Sequence, residues 1–274
     1  MVYYFVKGNI GMRNRYSQYF IAIISGIILS IGVIGIQFFI KEEVTESNEA
    51  IESEQITTLM SKDSKEYYDD FEESDEKIAY ITIDDGPSKY TSQILDILNK
   101  NNVKATFFFI DGNMKKYPEE VKEIVESGQS VGFHSVSHDK EVLYTTPEHI
   151  LDEFETCKET FKSITGQESN LIRIPYGSKP NMSQEGMDIL IENDFLIWDW
   201  NLDTEDWKGT SDNIISNILY YARNKSKLVI LIHEKQQTVE ALDSMIRILK
   251  ERGYKIMPIT EDIEPHNYWY KTID

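Results

Sequence analysis

Ile78-Ala79-Tyr80-Ile81-Thr82-Ile83-Asp84-Asp85-Gly86-Pro87 is an apolar, β-branched run that stops on two adjacent carboxylates and a Gly-Pro turn. Such a run is a buried β-strand, and its polar ending marks the strand's carboxyl end. Four other apolar runs end on polar groups in the same manner. His134-Ser135-Val136-Ser137-His138 follows one strand; Arg173-Ile174-Pro175-Tyr176-Gly177 closes a second; Asp203-Thr204-Glu205-Asp206-Trp207 follows a third; and Leu231-Ile232-His233 ends a fourth. In a parallel α/β fold the carboxyl ends of the strands meet at one mouth, so five such endings describe one site.

Working outward, seven strands are predicted at Ile78–Ile83, Ala105–Ile110, Ser130–Phe133, Leu171–Ile174, Phe195–Trp200, Leu228–Ile232 and Tyr254–Met257, with helices between them. Thr146-Pro147-Glu148 supplies an N-cap and a first-turn proline for a helix that Gly166 ends. Gly128 and Gly253 stop the helices Glu119–Glu126 and Val239–Arg252 in the same way. Strands alternating with helices fit an open doubly wound sheet or a closed TIM-like barrel, and the spread of the five motifs favours the barrel.

Tyr19 to Ile40 carries no charge, long enough for a helix that crosses a bilayer, and Lys7, Arg13 and Arg15 precede it. The positive-inside rule then places residues 1–18 in the cytoplasm and everything after the span outside. A cleaved signal peptide fits less well, because Gln37-Phe38-Phe39-Ile40 lacks a small-x-small cleavage pattern. Residues 41–76 are rich in Glu, Asp, Ser and Lys and have no apolar period, as expected of an acidic disordered spacer. The net charge of −19 excludes a protein that grips nucleic acid through a basic face. Cys157, the sole cysteine, is a predicted core residue in a helix.

His134 and His138 are four residues apart, so a helical turn after the strand would point both imidazoles the same way, as paired metal ligands require. Alone, the pair reads more readily as two surface histidines. Asp84 and Asp85 raise its weight, since one carboxylate completes a two-His-one-carboxylate set and the other is left as a base. Taken alone, Asp84-Asp85-Gly86-Pro87 would be a plain turn. His233 ends an apolar strand, where a polar side chain reads as catalytic, and Asp203 is the expected carboxylate behind it. Arg173 needs a buried anion, which a catalytic carboxylate supplies. His149 and His266 are expected at the surface, and Tyr268-Trp269-Tyr270 is expected to pack on the barrel.

From Lys77 to about Pro258 these motifs, in this order, resemble the polysaccharide deacetylase family, carbohydrate esterases that share the NodB homology domain. The resemblance implies a distorted (β/α)7 TIM-like barrel over residues 77–262, with residues 263–274 as a tail. It implies a divalent metal, usually Zn2+ with Co2+ or Mn2+ as alternatives, held by Asp85, His134 and His138. It also implies Asp84 as general base, His233 as general acid, Arg173 orienting Asp84, and Asp203 tuning His233. The Tyr176 N–H would help bind the oxyanion, and Trp207 and Leu231 would line the acetyl pocket. Ile83, Ile174 and Glu234 stand where the family usually has Phe, Pro and Asp, departures that bear on substrate preference.

The implied reaction is hydrolysis of an N-acetyl group by a water activated at the metal. An anchored, outward-facing enzyme meets cell-wall glycan first, so peptidoglycan N-acetylglucosamine is the expected substrate, and no protein partner is expected. The intact Asp84-Asp85 pair fits that sugar, since relatives acting on muramic acid carry Asn at the second position. Chitin oligomers, poly-N-acetylglucosamine and acetylxylan are the alternative polymers, and an inactive glycan-binding module is the alternative of another kind.

Overall fold

A computed structural model of the chain describes residues 76–271. The predicted anchor over 19–40 and nearly all of the acidic spacer lie outside the described residues, and among those described no helix is long and apolar enough to cross a membrane.

Eight strands form one parallel sheet: β1 (Ile78–Gly86), β2 (Thr106–Phe109), β3 (Ser130–Phe133), β4 (Leu171–Ile172), β5 (Leu196–Ile197), β6 (Leu202–Asp203), β7 (Lys227–His233) and β8 (Lys255–Ile256). Their order is β5-β4-β3-β2-β1-β7-β6, with β8 joined to the first residues of β1. The helices are α1 (Thr91–Lys100), α2 (Asp111–Lys116), α3 (Pro118–Glu126), α4 (Lys140–Leu143), α5 (Pro147–Thr165), α6 (Gln184–Glu192), α7 (Ser211–Tyr221) and α8 (Gln236–Glu251). The sheet curls into a half-barrel.

Its two edges, β5 and β6, are consecutive in sequence. The predicted strand over 195–200 is part of a longer run that changes partner midway. Leu171 and Ile172 pair with Leu196 and Ile197, whereas Ile230 and Leu231 pair with Leu202 and Asp203. Between them Trp198 N–H donates to the Ile172 carbonyl at 2.8 Å and Asn201 N–H to the Val229 carbonyl at 3.1 Å. No helix separates β5 from β6, and the C-terminal tail covers that flank.

Period-two alternation sets the core. Tyr80, Phe108, Leu171, Trp198, Val229 and Ile259 form a buried cluster, with Tyr80 and Trp198 rings 6.0 Å apart. On the helix side Phe133 meets Phe161 of α5 edge-on at 5.7 Å. Phe161 belongs to the apolar stripe Ile150, Phe154, Cys157, Phe161, which buries α5 against the sheet at helical spacing. That helix starts where the sequence signals, with Thr146 Oγ1 accepting from His149 N–H at 3.1 Å, and ends on Gly166 at φ +71°.

Candidate active site and metal centre

β1 and β7 lie side by side in a register that places Asp84 opposite His233. Two residues separated by most of the domain therefore become neighbours at the carboxyl edge of the sheet. Asp84 is buried beneath the fully buried Arg173, whose Nη1 donates to Asp84 Oδ1 at 3.0 Å and to Thr82 Oγ1 at 2.5 Å. Arg173 Nε and Nη2 donate to the carbonyls of Trp198 (3.0 Å) and Asp199 (3.2 Å), and its guanidinium lies 4.4 Å above the Phe108 ring. A buried charge costs several kcal/mol unless it is paired and hydrogen-bonded, and here both conditions hold.

The second Asp84 oxygen, Oδ2, is 3.6 Å from His134 Nε2. His134 Nδ1 lies 2.7 Å from the Arg173 carbonyl, which accepts only if Nδ1 carries the proton, so Nε2 presents a lone pair. Burial pushes the His134 pKa down against the pull of Asp84 and Asp85, keeping the ring neutral as a ligand must be. Asp85 Oδ1 lies 3.7 Å from His134 Nε2 and 3.4 Å from His138 Nε2, and all three ligand atoms fall within 4.8 Å of one another. That Asp85 oxygen is buried and has no hydrogen-bond partner. A buried, orphaned carboxylate oxygen between two imidazole nitrogens suits a divalent cation, so the donor set fits the group.

The His134–His138 segment is not the expected helical turn. It is an irregular loop in which Ser135 (φ +72°) and His138 (φ +47°) both take left-handed backbone, and Ser135 Oγ accepts from His138 N–H at 3.0 Å. Asp85 (φ +69°) and Tyr176 (φ +65°) share that conformation. Non-glycine residues held there concentrate at functional sites. Tyr176 is half-exposed, its ring 5.0 Å from His138, and its hydroxyl donates to the His138 carbonyl at 3.1 Å. Its N–H makes no hydrogen bond among the described residues, although the turn is closed by Gly177 N–H to the Ile174 carbonyl at 2.9 Å.

The carboxylate behind His233 is Asp206 and not the expected Asp203. His233 Nδ1 is 2.7 Å from Asp206 Oδ1, and the His233 backbone N–H donates to Asp206 Oδ2 at 2.6 Å. Asp203, the last residue of β6, instead caps its own turn, accepting from Glu205 N–H at 2.7 Å. Burial lowers the His233 pKa, but the Asp206 hydrogen bond and the charges of Asp206, Asp84 and Asp85 outweigh it, leaving a net rise. Burial raises the Asp203 carboxyl.

Leu231 is buried in β7 while Trp207 stands exposed with Lys208 Nζ 4.9 Å from its ring. A cavity of about 490 Å3 lies beside β6, lined by Trp200, Asp203, Glu205, Tyr221 and Tyr268, and of the expected site residues only Asp203 reaches it. His149 is half-exposed, near the surface position expected, but His266 is buried, because the tail docks on the sheet flank with its carbonyl accepting from Asp199 N–H at 2.7 Å.

Three further carboxylates were not foreseen as parts of the site. Asp199, fully buried, accepts from Ser178 N–H (2.8 Å), Ser178 Oγ (2.5 Å) and Tyr268 N–H (2.7 Å). Glu234 accepts from Ser88 Oγ (2.6 Å) and Thr91 Oγ1 (2.7 Å), and burial raises its pKa. Glu153 lies on the apolar stripe of α5, a placement legible as an acid where the helical period demands an apolar residue.

The polysaccharide deacetylase profile matches residues 71–188. A peptidoglycan-N-acetylglucosamine deacetylase of Bacillus cereus is 31% identical over 89% of this chain and 94% of its own length. The crystal structure of the polysaccharide deacetylase Bc1974 from Bacillus cereus superposes with a TM-score of 0.68 at 35% identity, covering 71% of this chain and 98% of that one. A CE4 family pseudoenzyme from Bacillus anthracis superposes with a TM-score of 0.62 at 31% identity, covering 68% of this chain and 65% of its own.

Proposed function

Because this chain belongs to the polysaccharide deacetylase family, we propose that it removes N-acetyl groups from the N-acetylglucosamine of peptidoglycan, using a divalent cation held by Asp85, His134 and His138. Zn2+ suits two imidazoles and a carboxylate, and Co2+ or Mn2+ would occupy the same donors. The orphaned Asp85 oxygen between two imidazoles carries the reading.

Bound there, the cation would polarise the acetamide carbonyl and make water more acidic. The residues divide the remaining work. Asp84, with Oδ1 fixed by Arg173, has Oδ2 to take a proton from the attacking water. The Tyr176 N–H, without a partner in its own turn, donates to the developing oxyanion, an interaction worth about 2.7–4 kcal/mol where such donors have been removed. His233 keeps a proton on Nδ1 through Asp206, so its Nε2 delivers a second proton to the departing nitrogen. Acetate and a free amino sugar result.

The uncharged run over 19–40 would anchor the chain in the plasma membrane with the catalytic domain facing the wall. The test is acetate release by the purified protein from N-acetylated peptidoglycan, with chitin oligomers, poly-N-acetylglucosamine and acetylxylan in parallel. Release from peptidoglycan, lost on chelation, regained with Zn2+ and absent in Asp84→Asn, is the expected result. Release from another polymer alone would move the substrate. Silence on all four with metal bound would favour a binding module over an enzyme; a pseudoenzyme is among the proteins of similar structure.

A further inference from the structure

His138 reaches the metal centre from an irregular loop, so something outside the loop must hold it. Within it, Ser135 and His138 sit at positive φ, a conformation that costs about 1–3 kcal/mol for each non-glycine residue and persists only when its surroundings enforce it. The ends of the loop are held by Asp111 N–H on the Ser135 carbonyl at 3.2 Å and by the Tyr176 hydroxyl on the His138 carbonyl at 3.1 Å, and the stretch between them is held by one oxygen of one side chain. Glu153 Oε2 accepts from Val136 N–H at 2.9 Å, from Ser137 N–H at 3.0 Å and from Ser137 Oγ at 3.1 Å. With its proton given to Glu153, Ser137 Oγ accepts in turn from Asp139 N–H at 3.3 Å, so the bonds extend past His138 on the carboxyl side.

Glu153 is itself fixed from below. It is 5% exposed and flanked on the buried face of α5 by Ile150, Phe154 and Cys157. Its other oxygen, Oε1, lies 3.3 Å from His149 Nε2 one turn earlier. α5 packs on the sheet and on α6, so the carboxylate belongs to a rigid element while the loop it grips is part of no helix or strand. A buried carboxylate in an apolar stripe is costly, and packing alone would favour a leucine there.

We infer that Glu153 is the positioning residue of the metal centre: it fixes the 135–138 loop so that His138 meets Asp85 and His134, and it sets the affinity for the cation without touching it. The inference rests on the metal reading above. Groups that orient ligands from behind typically change metal affinity about 10–100-fold when removed.

The experiment is a Zn2+ titration of the full-length protein in competition with a chromogenic chelator, for wild type, Glu153→Ala, Glu153→Gln and Phe154→Leu. Phe154, on the same buried helix face, packs its ring 6.1 Å from that of Phe195 and not on the loop, so Phe154→Leu reports what loosening α5 does by itself. Expected are a dissociation constant about 10–100-fold weaker for Glu153→Ala, a smaller loss for Glu153→Gln, whose neutral oxygen accepts more weakly, and wild-type affinity for Phe154→Leu. Should Glu153→Ala fail to fold, Glu153→Gln decides by the same comparison. Wild-type affinity in both Glu153 variants, or an equal loss in Phe154→Leu, overturns the positioning role and leaves the metal site standing. A wild-type protein that binds no Zn2+, Co2+ or Mn2+ overturns both.

Discussion

Asp206, Glu153, Asp199 and Glu234 each accept at least two hydrogen bonds from segments that carry or adjoin the reacting residues. Asp206 has the most direct chemical effect. His233 has its pKa above the ordinary 6.5, so as general acid it remains charged into higher pH, and activity falls as pH rises through the elevated value. Asp206→Asn removes that support, and the alkaline limb of the kcat/KM profile is expected to move to lower pH; an unmoved limb would assign the proton to another group. The same sign governs stability. A folded-state pKa above the unfolded one contributes fully below about 6.5 and fades as pH rises through the folded value. Arg173 carries a larger structural burden: Arg173→Met strands Asp84 among buried groups and is expected to cost about 3–5 kcal/mol in denaturant unfolding, with activity lost.

Close packing between neighbouring strands sets the limits at the scale of elements. A Cβ on Gly132 in β3 would stand 2.6 Å from Phe108 Cε1 and 2.7 Å from the Leu171 carbonyl oxygen, one of them backbone that cannot rotate aside. Gly132→Ala is expected to lower stability by about 1–3 kcal/mol or more, read as a fall in denaturant midpoint at constant m. Most elements were legible because their determinants are local: the apolar runs of β1, β2, β3 and β7, and the Thr146 cap and Gly166 stop of α5. What was illegible depends on tertiary partners. The strand expected over 195–200 is cut to β5, and β6 follows just beyond it, because the pairing moves from β4 to β7, which no periodicity records. The spacing of His134 and His138 suggests a helical turn, but the loop gains its shape from Glu153. Asp203 and Asp206 are both near His233 in the motif, and only the bend after β6 decides between them. His266 reads as a surface residue until the tail's docking is seen.

Over the whole molecule, residues 75–274 form one compact unit, and a fragment of that extent is expected to melt at the same temperature as the full chain. The tail belongs to this unit energetically. Removing 265–274 takes Tyr268 N–H from the buried Asp199 carboxylate and the His266 carbonyl from Asp199 N–H, and groups left unsatisfied cost about 1–3 kcal/mol each. Calorimetry on that truncation should show a lowered Tm, while an unchanged Tm would make the tail ornamental. The run from Leu196 to Asp203 carries one more consequence. A parallel sheet normally ends in two full-length rims of unmet N–H and C=O groups, the templates on which foreign strands add and fibrils begin. Here both rims are stubs of two residues, joined to each other by the chain itself and overlaid by the tail. Such a sheet offers a neighbouring molecule almost no place to attach, which guards the folded domain against edge-to-edge association.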